Sequence, residues 1–326
     1  MVHRRPLLAA AALYLLDSAR AGIPVWPTGP VRLVVPAPAG SSLDLVGRLL
    51  APWIGRSTGW RGTVVIDNKP GAGGLIGMDA VAKAPPNGQM LALGFNGPVA
   101  FAPHLYRRMP YDPVKDLAPV VMTTLQPNVL AVNARLPVRT LQEFVAHGRQ
   151  RAGALNVASV GLGSASHLTM ERLMAAGGFA AIHVPYNGSP PAAQSVAQGD
   201  TDALFAAAPA LLPLARSGHL RLIAVSSRER FAALPDLPGM AEGGLPDIDA
   251  LIWNGLFVAA ATPVEVVAGI NADLNAALRD PRLRAALQDQ GMAAGGGSAE
   301  AFRQRVEADA RQGGAIIRRI GLTLEP

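Results

Sequence analysis

The sequence contains no cysteine in 326 residues. That excludes disulfides, a thiolate nucleophile and a cysteine-held metal. Aromatic residues make up 5% and charged residues 16%, the latter well below the roughly 25% of an average soluble chain. Only three lysines occur, so the formal net charge of +6 is carried by arginine. The arginines are scattered. Their tightest groups are Arg4-Arg5, Arg107-Arg108, Arg149 with Arg151, Arg303 with Arg305, and Arg318-Arg319. None lies among aromatic side chains that would stack on bases, so no nucleic-acid partner is expected despite a pI near 10.3. The six histidines (3, 104, 147, 167, 183 and 219) show no metal-binding spacing, so no metal is expected. No run after residue 16 reaches bilayer-spanning length without a charge or a proline.

Hydrophobic residues make up 50%, enough for a large core, and the length suits two domains. The N-terminus reads as a cleavable signal peptide. His3-Arg4-Arg5 precedes the apolar run "LLAAAALYLL" (7–16), and Ala19-Arg20-Ala21 supplies an A-x-A site. Cleavage after Ala21 is expected. No cysteine follows that site, so no lipoprotein anchor is attached there.

Beyond it, short apolar runs alternate with helical ones. Strands are predicted at 31–35, 63–67 and 90–95, with helices at 42–56 and 74–83 between them. This is a βαβαβ half of a doubly wound sheet. The proline-rich stretch "RRMPYDPVKDLAP" (107–119) reads as a crossing linker. A second βα set follows, with strands at 129–133, 155–159, 181–186, 202–206 and 220–226. Thr140 with Glu143 forms a capping box for one of its helices. Residues 231–250 read as a loop region. Three helices then begin near Pro263, Pro281 and Ser298 and return to cover the first sheet. The reading is an α/β protein of two lobes, each a mainly parallel sheet flanked by helices. Residues 22–103 with 224–326 form lobe I, and residues 104–223 form lobe II.

In such sheets ligands sit outside the carboxyl ends of the strands. After the first strand comes "PAPAGSSLD" (36–44), where Gly40 allows a tight turn and Ser41 or Ser42 caps a helix. After the strand at 155–159 comes "SVGLGSASH" (159–167), with Gly161, Gly163 and the cap Ser164. Each is ordinary helix capping taken alone. One in each lobe, both at strand ends, suggests a grip on a carboxylate from two sides. The loop "NKPGAGGLIG" (68–77) resembles a phosphate loop but fails both nucleotide fingerprints. Ile76 occupies the third glycine position of G-x-G-x-x-G, and no lysine follows as a P-loop needs. The loop is expected to shape its lobe rather than touch ligand. "VASVG" (157–161) approaches the G-x-S-x-G elbow, but Val157 replaces the first glycine. A hydrolase using Ser159 and His167 would still need an acid, for which only Asp200 and Asp202 offer themselves. His167 and Glu171, at i and i+4, read as a helix-face pair.

With these loops in view, the chain resembles the substrate-binding proteins of the tripartite tricarboxylate transporter family, also called the Bug family. The matching stretches are "VRLVVPAPAGSSLDLVGRLLA", "VVIDNKPGAGGLIGMDAVAKAPPNG", "LPVRTLQEFVAHGR", "LNVASVGLGSASHLTMERL", "HVPYNGSPPAAQSVAQGDTDALF" and "LPDLPGMAEGGLPDI…W". The resemblance implies a periplasmic-binding-protein clamshell of type II-like topology, located in the periplasm. It implies a monomer that is not an enzyme, uses no cofactor, and closes on a small carboxylate. It also implies delivery to integral-membrane transporter subunits, or alternatively docking on a sensor kinase. Carried over, one side of the ligand site is Ala39, Gly40, Ser41 and Asp44. The other side is Ser159, Gly161, Ser164 and His167, with Tyr186, Asn187 and Gly188 of the "PYNG" turn and Asp202 after it.

The chain departs from the family pattern in four places. Ala37 stands where an aromatic is usual, Gly40-Ser41 where two glycines are usual, and Leu43 where Thr or Ser is usual. "AAATP" (259–263) replaces "PAGTP". Ala37 and Leu43 make the expected pocket more apolar, which favours a less charged acid than citrate.

Overall fold

A computed structural model describes residues 26–151 and 153–324. The expected signal peptide, 1–21, lies outside them. The chain begins in lobe I with β1 (Val31–Val35), α1 (Ser42–Leu50), β2 (Val64–Asn68), α2 (Leu75–Ala82) and β3 (Met90–Phe95). A short helical stretch over residues 97–105 leads to β4 (Leu117–Pro127). Lobe II follows with β5 (Val129–Asn133), α3 (Leu141–Gln150), β6 (Asn156–Ser159), α4 (Ala165–Gly177) and β7 (Ile182–Pro185). It continues with α5 (Ser189–Gln198), β8 (Ala203–Ala206), α6 (Ala208–Arg216) and β9 (Leu220–Val225). The chain then returns to lobe I as β10 (Leu251–Ala259), α7 (Val264–Arg279), α8 (Pro281–Gln288), β11 (Ala293–Ala294) and α9 (Ala299–Ile320).

Local chemistry sets the helix starts. Thr140 and Glu143 form the expected capping box of α3. Ser41, Ser164 and Ser298 cap α1, α4 and α9, each accepting from a backbone N–H three residues on.

The two sheets share one order. Lobe I reads β2-β1-β3-β10-β4-β11, and lobe II reads β7-β6-β8-β5-β9. In each, a strand arriving from the other lobe is inserted antiparallel, β10 beside β3 and β5 beside β8. The sheets are therefore mixed, not mainly parallel as expected. The reason is geometric. The carboxyl ends of the parallel strands face the hinge, so a strand entering from the hinge must run against them.

The strand pairings also move the lobe boundaries. β4 pairs with β10 in the first sheet, so the first crossing falls at Asn128 rather than at residue 104. On the return, Met240 and Ile248 pack in the lobe II core, which extends that lobe beyond 223. The two crossings are tied together. Ser226 Oγ accepts from the Asn128 N–H (2.8 Å) and donates to Ala250 O (2.5 Å), and the Ser226 N–H donates to Asn128 O (2.8 Å).

Helices cover both faces of each sheet. One face of the lobe I sheet buries Leu33, Val46 and Ile270, and the other buries Met78, Trp253 and Phe302. The last helix, α9, does return to the first sheet, as expected. A smaller cluster, in which Leu105 and Ile317 meet Leu168 of α4, joins the lobes behind the hinge.

Candidate functional site

One cavity lies between the lobes at the carboxyl ends of β1, β2, β6, β7 and β8. The space between its walls is about 730 Å³, counting the part open to solvent. Five helix N-termini border it: Ser41, Ser42 and Leu43 of α1, Gly74 before α2, Ser164, Ala165 and Ser166 of α4, Gly188 and Ser189 of α5, and Ala207 before α6. Each end offers N–H groups without an intrahelical partner and a partial positive charge. None of the residues lining the cavity is charged. Its apolar wall comes from Pro36, Ala37, Pro38, Leu43, Phe95, Val160 and Ile252. Ala37 and Leu43, the two departures from the family pattern, both sit on that wall.

Of the expected ligand residues, Ser41, Ser164, Asn187 and Gly188 line the cavity, and the others do not. Asp44 is 5% exposed and holds the first loop in shape. Its carboxylate accepts from the Gly40 N–H (3.0 Å), Arg48 Nε (3.0 Å) and Asn68 Nδ2 (3.1 Å). Burial alone would raise its pKa, but the hydrogen bonds from Arg48, Gly40 and Asn68 outweigh burial and hold it below the ordinary value. Ala39 and Gly40 form the turn that Asp44 secures. Asp202 lies at the opposite end of the sheet, just before β8, where it accepts from the Asn156 N–H at the start of β6 (2.8 Å). Tyr186 donates its N–H to Ser159 O (3.0 Å) and packs into the lobe II core.

Ser159 is fully buried and its partner is His183, not His167. Its hydroxyl oxygen lies 2.6 Å from His183 Nε2 and 3.1 Å from Gly161 O. The Ser159–His167 pair of the hydrolase reading is not formed. His167 Nδ1 instead accepts from the Gly163 N–H (3.2 Å), and Nε2 lies 3.4 Å from Glu171, the expected helix-face pair. His183 stacks on His167 with ring centroids 3.8 Å apart. Burial, and then the neighbouring His167, lower the His183 pKa from 6.5 to about 4, against the pull of Glu171.

That shift predicts a pH dependence. Between pH 6.5 and 4 the unfolded chain binds a proton at His183 that the folded chain refuses. The stabilising effect is complete above 6.5 and is lost as pH falls toward 4. We expect about 1–2 kcal/mol over this window, after discounting for solvent screening of a half-buried ring. Denaturant melts at pH 7 and pH 4.5 should show a smaller acid loss in His183→Asn than in the wild type. An equal loss in both would disprove the assignment.

The sequence reading missed several wall residues. Gln126 and Asn128 lie at the first crossing and Ile252 and Asn254 on the return strand, none of which local patterning marks. The glycine loop was also underestimated. Pro70, Gly71, Gly73 and Gly74 line the cavity, while Asn68 Nδ2 donates to Ala37 O (3.1 Å) and anchors the first loop. The loop both shapes the lobe and borders the ligand space. Among the described residues, no group of three or more His, Asp or Glu side chains is placed to hold a metal, and no helix is long and apolar enough to cross a membrane.

Residues 55–322 match the model of the tripartite tricarboxylate transporter family receptor. This chain belongs to that family. The receptor is 35% identical over 292 residues to protein BugT of Bordetella pertussis, covering 87% of this chain and 88% of BugT. Its fold matches R. palustris Rpa4515 with adipate, at TM-score 0.88 and 32% identity, over 92% of this chain and all of that one. It matches the periplasmic binding protein BugD at TM-score 0.86 and 30% identity, over 92% of this chain and all of BugD. The fold is thus the expected two-lobed clamshell, and the family is one of binding receptors rather than enzymes.

Proposed function

We propose that the receptor works in the periplasm, captures a small carboxylate between its lobes and delivers it to the membrane subunits of a tripartite tricarboxylate-type transporter. One observation carries this reading: helix N-termini from both lobes meet at an interlobe cavity with no charged lining residue. An anion there is held by fixed N–H donors and helix dipoles, which are already oriented before it arrives. The Ser41 hydroxyl, which accepts from the Asp44 N–H (3.2 Å), keeps its own proton for the ligand. The walls around these donors are apolar, so the body of the acid is expected to be carbon-rich. Adipate in the related Rpa4515 fits that class. The signal-peptide pattern at residues 3–21 agrees with a periplasmic site of action.

Mass spectrometry of molecules released from protein purified without denaturation should recover a small carboxylic acid. That acid should raise the melting temperature when added back. Release of only uncharged compounds, with no carboxylate in a broad panel stabilising the protein, would reject the reading.

A further inference from the structure

We propose that a second interlobe cavity, behind the hinge, binds an organic acid whose carboxylate pairs with Arg172 while its apolar body lies between α4 and α9. The inference goes beyond the receptor reading, since neither Arg172 nor any other arginine borders the cleft cavity.

Two helices from different lobes face each other across this second cavity. α4 of lobe II presents Ala165, Leu168 and Arg172, and α9 of lobe I presents Arg305, Gln312 and Ile316. The spacings, i, i+3, i+7 and i, i+7, i+11, place each set on one helix face. Asn128, Ala165 and Ile252 also line the cleft cavity, so the two cavities share a wall at the crossings. The space between the walls is about 830 Å³, counting the part open to solvent.

Arg172 is short of a counter-charge. Its Nη1 donates to Asp249 O (3.1 Å) and its Nη2 to Asp247 O (2.8 Å), both uncharged carbonyls. The Nε–H and one N–H on each Nη are left over. Among the described residues no carboxylate bonds to it. The carboxylates lining the cavity are engaged elsewhere. Asp309 accepts from Trp253 Nε1 (2.7 Å) and Arg305 Nε (3.0 Å), and Asp249 Oδ1 accepts from the Arg228 N–H (3.0 Å). Arg319, one turn beyond Ile316 on α9, brings a further cation from the opposite lobe. Burial, and then the charge of Arg319, lower the Arg172 pKa, against the pull of Asp249. A guanidinium in that position is stabilised by an anion. Arg172 is only partly buried and lines the cavity, so a ligand can reach it.

The rest of the wall selects the body of the ligand. Phe101, Leu168, Leu251 and Ile316 line the same space. An inorganic anion would leave them uncovered. A neutral apolar molecule would cover them but bring no charge to Arg172, and a cation would be repelled by it. A carboxylate on a carbon chain meets both demands, and the planar guanidinium fork suits a carboxylate in particular.

Isothermal titration of the mature protein with octanoate, and with 1-octanol as its uncharged match, tests this. Gly188 borders the cleft cavity and not this one. Octanoate should therefore show a binding event that Gly188→Ala leaves unchanged within about twofold. Arg172→Leu should weaken that event at least about tenfold, and octanol should bind at least about tenfold more weakly than octanoate. Arg319→Gln, at an exposed position, should weaken it about two- to fivefold. If Arg172→Leu does not fold, Arg319→Gln and octanol decide. No such event, octanol binding as tightly as octanoate, or an affinity that neither arginine substitution changes overturns the inference. Octanoate that weakens only in Gly188→Ala lies in the cleft, which overturns the inference and leaves the receptor reading standing.

Discussion

Gly188→Ala should bind the proposed carboxylate ligand roughly 10–100-fold more weakly than the wild type, because about 1–3 kcal/mol of overpacking falls between the lobes. Gly188 is in the loop after β7, and Pro38 is in the facing loop after β1. A Cβ on Gly188 would sit 2.6 Å from Pro38 Cδ and 2.8 Å from Cγ. Contacts under 3.0 Å force something to move, and proline is rigid. The cheapest response is for the lobes to part, which withdraws the α5 N-terminus from the ligand.

Gly188 also has φ +106, so any side chain there strains the backbone. Gly161→Ala separates the two effects. Gly161 has φ +145, yet a Cβ there meets nothing nearer than 3.7 Å. Titration of both variants should show a large affinity loss in Gly188→Ala and a small one in Gly161→Ala. Equal losses would mean that backbone strain, not lobe closure, controls affinity.

Trp253→Ala should lower unfolding free energy by about 3–5 kcal/mol, the usual cost of emptying a large buried aromatic site. Trp253 is fully buried on β10. Its ring lies 5.1 Å from Phe302 of α9, edge-on, and 6.1 Å from Phe257. Its Nε1–H donates to Asp309 Oδ2 (2.7 Å), also on α9, and Arg305 Nε donates to the other oxygen (3.0 Å). Removing the indole therefore opens a cavity and leaves a nearly buried carboxylate short of a donor. Trp253→Phe keeps most of the volume and should cost about 1–3 kcal/mol, mainly through the unpaired Asp309. Urea melts of both variants measure these losses. A loss below about 1 kcal/mol in Trp253→Ala would mean that α9 does not clamp the first sheet.

The two variants probe parts of the chain that differ in how readily sequence revealed them. The Gly188 turn was legible, because glycine and proline mark it locally and two helix starts flank the same strand ends. The Trp253 strand was not. β10 is apolar except for Asn254 and Gly255 and is buried along nearly its whole length, and periodicity cannot separate such a strand from a buried helix. β4 was hidden by Pro119 and Pro127 and by the polar pair Thr123-Thr124, which look like linker. Without β4 and β10 the place of Gln126 and Asn254 on the cavity wall was invisible, since only their pairing brings those residues to one face. Asp44 and Asp202 show the converse. The family resemblance placed both at the ligand, but a carboxylate beside free N–H groups also serves to fix a loop, and here both accept from neighbouring backbone N–H groups.

By itself the sequence determined the helix caps, the strand-end glycine turns, the order of alternating elements and the family. All of these rest on interactions between residues a few positions apart, or on motifs kept in order along the chain. The tertiary structure alone decided the mixed sheets with their shared order, the partners of Ser159, and the uncharged cavity between the lobes. These depend on strands distant in sequence being set side by side. Such pairing is fixed by burial and hinge geometry summed over the whole chain, and no local pattern carries it.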